Sequence, residues 1–319
     1  MNETKNAKKK FSLDKYYIYI VTLGMIVLCS ILNENFLSLN NMINILTQMT
    51  FTTIAAFAMT LLLITGVMDL ALGSTMALAG IASVVVYQAT TSFLVSLIVA
   101  VICGIICNAI TGTLINKLHL HPFIVGLGTK QIFRGIVLLY TGGAVISQVG
   151  DFKKFGQGRL LGIIPYPIIV MFIIMAVLWI ILEKTKFGRN AFATGGNAEA
   201  ARASGVNTQK TVLISFLIAG IFTGIAGMML MSRTASGYPN AAEGYEMDAM
   251  TAAVIGGTSF TGGVGTAIGT LIGGLIVAII NNILTLMGVQ SYIQQILKGI
   301  IIVVAVAIDV NSRRKKMGA

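Results

Sequence analysis

Charges set within apolar runs are the residues of this 319-residue sequence whose type and spacing best suit chemistry. Each is costly in lipid unless it is paired or wet. Asp69 lies in Thr65-Gly66-Val67-Met68-Asp69-Leu70-Ala71-Leu72-Gly73-Ser74, bracketed by Gly66 and Gly73. This pattern predicts a break between two helices, with Asp69 capping the backbone N–H groups of the second. Contact with a solute is the other role open to it. Lys130 and Arg134 share one helical face, a turn apart, where they suit either a wet interior or lipid headgroups. Lys298 and Asp309 lie on the last apolar run. No chain of intramembrane acids suggests a proton relay.

A second constellation is Gly195-Gly196-Asn197-Ala198-Glu199-Ala200-Ala201-Arg202-Ala203-Ser204-Gly205. Asn197 is a good N-cap, Glu199 favours the positive helix end, and Gly205 is a natural stop. Alanine between them predicts a two-turn helix. It serves either as a plain connector or as a small-residue face that docks into a partner's groove. A third is the ladder Gly265, Gly269 and Gly273, predicted to line one helix face and admit a close neighbour, with Gly220 and Gly224 repeating the device.

Other chemistry is missing from the sequence. The glycine-rich stretch 262–273 has no lysine, so it cannot cradle nucleotide phosphates as a P-loop does. No zinc-ligand spacing or nucleophile elbow occurs. His119 and His121 flank Leu120 and read as a solvated loop. Cys29, Cys103 and Cys107 lie in apolar runs and read as packing residues. Neither a catalytic residue nor a metal site is expected.

The elements that position these residues must be membrane helices. The chain is 56% hydrophobic and 10% charged, against about 25% charged in soluble domains. It holds 35 glycines and only 4 prolines, which suits helices packed closely in lipid. Continuous apolar runs without alternation exclude a barrel. We read an all-α integral membrane protein with about ten transmembrane helices: Tyr17–Leu32, Met42–Thr65, Ser74–Tyr87, Phe93–Ile115, Phe123–Leu139, Ile163–Leu182, Val212–Met231, Ala249–Phe260, Ala267–Met287 and Ile293–Ile308. Ser74–Tyr87 and Ala249–Phe260 are short, and are expected as half-helices or re-entrant pieces. A second break is expected around Thr258.

The net charge of +11 follows the positive-inside pattern rather than a nucleic-acid footprint, with the anionic inner leaflet as partner. Lys5, Lys8, Lys9 and Lys10 place the N-terminal tail, residues 1–15, in the cytoplasm. Arg313, Arg314, Lys315 and Lys316 do the same for the C-terminal tail, residues 311–319. Residues 16–310 form one transmembrane domain, with the basic loop 183–211 inside. The loop 142–162 is placed outside although it carries Lys153, Lys154 and Arg159.

From end to end the sequence resembles the permease subunits of ABC sugar importers of the ribose, xylose, arabinose and galactose type. Four stretches carry the resemblance: Thr65–Ser74, His121–Thr129 followed by Arg134-Gly135, Lys186–Gly205, and Glu246–Gly265. Lys130 stands where the family usually has an apolar residue, and Val264 where it often has arginine.

The resemblance implies the ABC importer permease fold in the cytoplasmic membrane of a prokaryote. It implies a second permease subunit, identical or not, a cytoplasmic ABC ATPase, and an external sugar-binding protein. It assigns ATPase coupling to Gly188, Arg189, Gly195, Gly196, Asn197, Glu199, Ala200, Ala201, Arg202 and Gly205. Gly66, Asp69, Gly73, Ser74, Gly256, Gly257, Thr258 and Ser259 become the translocation path or helix breaks. ATP and Mg would belong to the ATPase, leaving this chain without a cofactor. The implied function is import of a monosaccharide, a ribose-like pentose or a hexose. The alternative is an ion-coupled secondary transporter of a small polar solute, which requires acids in paired broken helices.

Overall fold

The computed structural model describes residues 17–147 and 149–317, except the side chains of Tyr17, Ser291, Ala305 and 308–317. The four N-terminal lysines, and the side chains of Asp309 and the C-terminal basic cluster, lie outside the described residues. Thirteen α-helices are present among those described: α1 (Tyr17–Leu32), α2 (Leu39–Ile64), α3 (Leu72–Thr90), α4 (Phe93–Leu118), α5 (Pro122–Thr141), α6 (Lys153–Gln157), α7 (Tyr166–Lys184), α8 (Lys186–Gly196), α9 (Ala198–Ala203), α10 (Thr208–Thr234), α11 (Tyr245–Ile255), α12 (Ala267–Leu286) and α13 (Ser291–Met317).

Seven of these, α2, α3, α4, α5, α7, α10 and α12, are long and apolar enough to cross a membrane. The half-helix expected at Ser74–Tyr87 is corrected: α3 runs 19 residues, because Leu72 and Gly73 already belong to its first turn and Gln88, Ala89 and Thr90 extend its last. By contrast α11 has 11 residues, about 16 Å of helix against a hydrocarbon core of about 30 Å. Its limits also differ from the expected Ala249–Phe260. It begins four residues earlier, at Tyr245, because its acids are paired and buried, and it stops at Ile255 before Gly256 and Gly257. Strands were not expected, yet Arg159–Leu160 and Ile164–Pro165 form a small antiparallel hairpin, β1–β2, so that α7 starts at Tyr166 rather than at the expected Ile163.

Helix α2 is the centre of the bundle. Every residue from Thr53 to Ile64 is buried, and the helix meets α7, α10, α11 and α12. A helix that is apolar all round has no solvent face to orient it, so it occupies the interior. Its polar side chains are matched inside. Thr60 and Thr270 of α12 share a hydrogen bond of 2.6 Å. Asn41 and Asn282 of α12 exchange amide hydrogen bonds of 3.0 and 2.8 Å.

Glycine sets the other contacts. A Cβ at Gly104 of α4 would overlap the carbonyl oxygen of Gly220 on α10, and one at Gly224 would overlap that of Ala100. Gly269 and Gly273 bring α12 against the backbone of Gly256 and Ala252 at the end of α11. Gly265 does not share that face. It precedes the N-cap Thr266 and packs on Ile64 and Thr258 from a loop, so the ladder starts at Gly269. The four-residue spacing extends one glycine beyond the helix because Thr266 caps it at the Gly269 N–H.

Candidate functional site

Three chain segments meet at the carbonyl oxygen of Ile64, the last residue of α2. Helix termini leave such carbonyls without partners in the helix. This one accepts from the N–H of Gly263 at 2.9 Å. Gly195, in the last turn of α8, lies so close that a Cβ there would overlap the same oxygen. A Cβ at Gly262 would come within 2.6 Å of the Gly195 carbonyl oxygen, and one at Gly263 within 2.7 Å of Gly196 Cα. Gly66 turns the chain at φ +83°, and Gly262 and Gly263 adopt φ +95° and +73°, conformations that glycine enters at no steric cost. The end of α8 thus touches both helix breaks, Thr65–Ala71 and Gly256–Thr266.

Within the first break Asp69 is fully buried. One carboxylate oxygen accepts from the Ala71 N–H at 2.8 Å. With the Asn108 amide turned to match its neighbours, its nitrogen donates to the other oxygen at 3.2 Å and its oxygen accepts from the Gly220 N–H at 2.8 Å. Asp69 therefore ties the start of α3 to α4 and α10. At Gly73 a Cβ would overlap the Ala242 carbonyl and the Glu246 carboxylate, so α3 begins directly against the start of α11. Ser74 beside it is fully buried, and its hydroxyl has no protein partner. In the second break Gly257 has φ +87°, and Thr258 and Ser259 are fully buried. The Ser259 hydroxyl bonds to Thr261, whereas that of Thr258 has no protein partner.

Sequence reasoning missed the acids of α11. Glu246 is 1% exposed and pairs with Lys130 of α5. Asp248 is 7% exposed and pairs with Lys298 of α13 at 2.8 Å. Arg134 donates to the backbone carbonyls of Pro239 and Ala241. Lys130 and Arg134 thus tie α5 to the segment 239–246. A non-helical backbone in a membrane bundle needs such partners. The signal was available. Two lysines within apolar runs demand partners, and the short run beginning at Ala249 is preceded by two acids.

The Asp248–Lys298 pair borders two cavities. One of about 520 Å³ is lined by Glu243, Tyr245, Asp248, Gln294, Gln295 and Lys298, among others. A neighbour of about 310 Å³ shares Tyr245, Asp248 and Lys298 and adds Gln48, Thr52, Arg233 and Asn281. The sequence showed no such polar cluster, because its members come from five separate helices.

The short helix expected between Asn197 and Gly205 is present as α9, and α8 precedes it over Lys186–Gly196. Thr185 caps α8 through the Gly188 N–H at 3.0 Å. Asn197 ends α8 and caps α9, its side-chain oxygen accepting from Glu199 and Ala200 at 3.0 and 2.9 Å. Gly205 turns the chain at φ +83° before Asn207 caps α10. Gly188 and Ala201 are buried, whereas Arg189, Gly196, Asn197, Glu199, Ala200, Arg202 and Gly205 are exposed. The pair therefore has a face set against the bundle and a face of small and charged side chains turned away. The histidines are helix ends: His121 accepts from the Phe123 N–H at the start of α5, and His119 closes α4 in the left-handed region.

Comparison with known proteins gives this arrangement its context. Residues 41–306 match the family described as "Branched-chain amino acid transport system / permease component". The chain is 40% identical to the ribose import permease protein RbsC of Bacillus subtilis (strain 168), over 89% of each chain. It is 36% identical to the D-allose transport system permease protein AlsC of Escherichia coli (strain K12), over 95% of this chain and 94% of that one. The galactose/methyl galactoside import permease protein MglC of the same strain is 37% identical, over 94% and 95%. No solved structure matches. These matches favour the permease reading over the ion-coupled alternative. A bundle with seven helices fit to span, two glycine-built breaks and an exposed helix pair at their junction is, in this sequence, a multi-pass membrane permease, and the chain belongs to the branched-chain amino acid transport system / permease component family.

Proposed function

We propose that the protein is the transmembrane permease subunit of an ATP-driven importer of a monosaccharide, a ribose-like pentose or a hexose. The observation that carries this reading is the near full-length similarity to permeases named for ribose, allose and galactose. An external binding protein delivers the sugar, a separate cytoplasmic subunit hydrolyses ATP with Mg, and a second permease subunit completes the pathway. Ten crossings result when α1, α13 and the short α11 together with the loops on either side of it join the seven long helices, and both termini then lie in the cytoplasm.

The helix pair α8–α9 docks on the ATPase through Arg189, Gly196, Asn197, Glu199, Ala200 and Arg202. Its inner face supports this role: Gly195 rests on the Ile64 carbonyl, where the two breaks meet. A displacement of α8 on ATP binding then moves the ends of α2 and of the Gly256–Thr266 loop together. The breaks at Gly66–Ser74 and Gly256–Ser259 are the parts of the path that yield. The test is reconstitution in proteoliposomes with an ABC ATPase and a sugar-binding protein. Uptake of D-ribose, D-allose or D-galactose that requires ATP and survives collapse of the ion gradients supports the reading. Uptake that needs the gradient and ignores ATP overturns it.

A further inference from the structure

Lys153, Lys154 and Arg159 stand beside the start of α2, whereas the last residue of α2, Ile64, touches α8. They therefore lie at the end of the bundle opposite the α8–α9 pair. Membrane proteins concentrate their basic residues on one side, so cations kept on the other call for a local reason. The fold arranges them closely. Helix α6 lies on the end of α10: the Gly156 N–H donates to the Ser232 hydroxyl at 2.7 Å, and the Gln157 amide donates to the Arg233 carbonyl at 3.0 Å. A Cβ at Gly156 would overlap the Arg233 nitrogen. The β1–β2 hairpin follows at once.

Arg159 and Arg233 thereby reach one cavity of about 220 Å³, which Asn40, Asn44 and Gln157 also line. No carboxylate lines it, and among the described residues neither arginine has an acidic partner. The acids of this end are engaged or lie elsewhere. Asp151 holds Lys154 at 2.7 Å, Glu243 lines the separate cavity beside Lys298, and Glu34 is exposed in the turn between α1 and α2. The first turn of α2 adds the positive end of a 26-residue helix. Two guanidiniums and three carboxamides select an anion with several acceptor oxygens, and the guanidinium fork fits a phosphate bidentately.

The rim of the cavity is apolar and bare. Leu160, Leu161, Ile163 and Ile164 of the hairpin are 46, 88, 65 and 45% exposed, and Leu39, beside Asn40, is 74% exposed. The hairpin leads directly into α7, whose exposed Phe172, Ile173 and Val177 belong to the apolar outside of the bundle. Cations beside exposed leucine and isoleucine, at the ends of helices fit to span, suit the interface of a bilayer: the apolar side chains enter the acyl region and the charges stay at the headgroups. The cavity is smaller than the about 300 Å³ at which pockets for drug-sized molecules begin, so it takes a headgroup and leaves the acyl chains outside.

We infer that Arg159 and Arg233 hold the phosphate of an anionic phospholipid, with Asn40, Asn44 and Gln157 as further donors to its headgroup and Leu160, Leu161 and Ile163 against its acyl chains. The lipid pins the hairpin to the membrane beside the ends of α2 and α10. The site needs only that α2, α7 and α10 cross a membrane, and is independent of the transported solute.

The test titrates the full chain, purified in detergent, with palmitoyl-oleoyl phosphatidylglycerol and counts retained lipid by native mass spectrometry. The double variant Arg159→Gln, Arg233→Gln should hold its first phosphatidylglycerol at least about tenfold more weakly than the unsubstituted chain. Lys153→Gln removes a charge at the same end outside the cavity and should bind as the unsubstituted chain does. Equal binding by the double variant overturns the site. Leu161→Ser with Ile163→Ser separates a lipid from a free phosphate, and should weaken phosphatidylglycerol by about tenfold. Lipid binding that ignores these serines and is displaced by inorganic phosphate assigns the site to a free anion and overturns the lipid. A photoactivatable phosphatidylglycerol in vesicles holding the unsubstituted chain gives a measure free of folding effects. Crosslinks to the peptides carrying Asn40, Arg159 or Arg233 support the site, and crosslinks confined to other segments overturn it. Protection of both arginines from phenylglyoxal by a sugar-binding protein, with none by phosphatidylglycerol, would assign them to a carboxylate of a protein partner and likewise overturn the lipid.

Discussion

Gly195 lies against the carbonyl oxygen of Ile64 with no room for a Cβ between them. The same oxygen accepts from Gly263, so one atom joins the α8–α9 pair to both breaks in the bundle. Any side chain at position 195 must move α8 away from α2 or strain the end of α2. Gly195→Val is therefore expected to uncouple: sugar uptake falls by about a factor of ten or more while the chain still reaches the membrane. Gly24 of α1, with nothing near its Cβ position, provides the comparison. Gly24→Ala should leave uptake near normal. Equal loss in both variants, measured as ATP-dependent uptake normalised to membrane-inserted protein, would mean that close packing at Gly195 is not the cause.

The exposed face of α9 makes a different prediction. Ala200→Trp adds bulk where the bundle is not touched, so folding is retained and binding of the ATPase is lost. Co-purification of the ATPase with the variant, compared with the unsubstituted chain, is the measurement. Asn197→Ala removes two capping hydrogen bonds and should destabilise α9 by about 1 kcal/mol. Weakened rather than abolished co-purification is expected for that variant.

Lys130 and Glu246 form a pair in which the acid is 1% exposed. Removing one partner leaves the other buried and uncompensated. Lys130→Met should destabilise the protein by about 3–5 kcal/mol, read as a lower unfolding temperature in detergent. The double variant Lys130→Met with Glu246→Gln should recover most of that loss. Additive effects in the double-mutant cycle would show that the two groups do not interact.

Asp69 separates two roles by a conservative change. Its oxygen accepts from the Ala71 N–H, which an amide oxygen also does. Asp69→Asn should therefore fold and insert nearly normally, whereas Asp69→Ala leaves the Ala71 N–H and the Asn108 amide nitrogen without partners and lowers folded yield. The cost of such groups is about 1–3 kcal/mol each. Normal yield of Asp69→Ala with a changed sugar preference would make Asp69 a solute contact instead.

The α11–α12 contact tests the glycine ladder. Gly273→Leu drives a side chain into the backbone of Ala252 and Gly256 and should abolish folded protein in detergent extracts. Val264 lies in the loop nearby and is 48% exposed, and Val264→Leu should have little effect. A stable, active Gly273→Leu variant would place that face against lipid.

Much of this fold is legible in the sequence because lipid enforces simple rules. Apolar runs of about 20 residues locate the long helices, and the capping chemistry of Asn197 and Gly205 marks the two ends of α9. The break at Asp69 is legible from glycine and charge in one short stretch. Long-range pairing is not. Glu246 and Lys130 are 116 residues apart, and Asp248 and Lys298 are 50 apart, so no local pattern joins them. The start of α11 is misplaced for the same reason: its first turn looks polar until its partners are known. Gly265 keeps the ladder's spacing, but Thr266 begins the helix after it. The cavities stay hidden because Gln48, Asn281 and Gln294 come from three helices and are unremarkable singly.

The central claim is that ATP binding outside this chain drives a monosaccharide through it. The most direct measurement is uptake of radiolabelled D-ribose, D-allose and D-galactose into proteoliposomes holding the chain, an ABC ATPase and a sugar-binding protein. The account predicts accumulation of at least one sugar that requires ATP and the binding protein and is indifferent to ionophores. Accumulation without ATP that stops when the ion gradient is collapsed would contradict it.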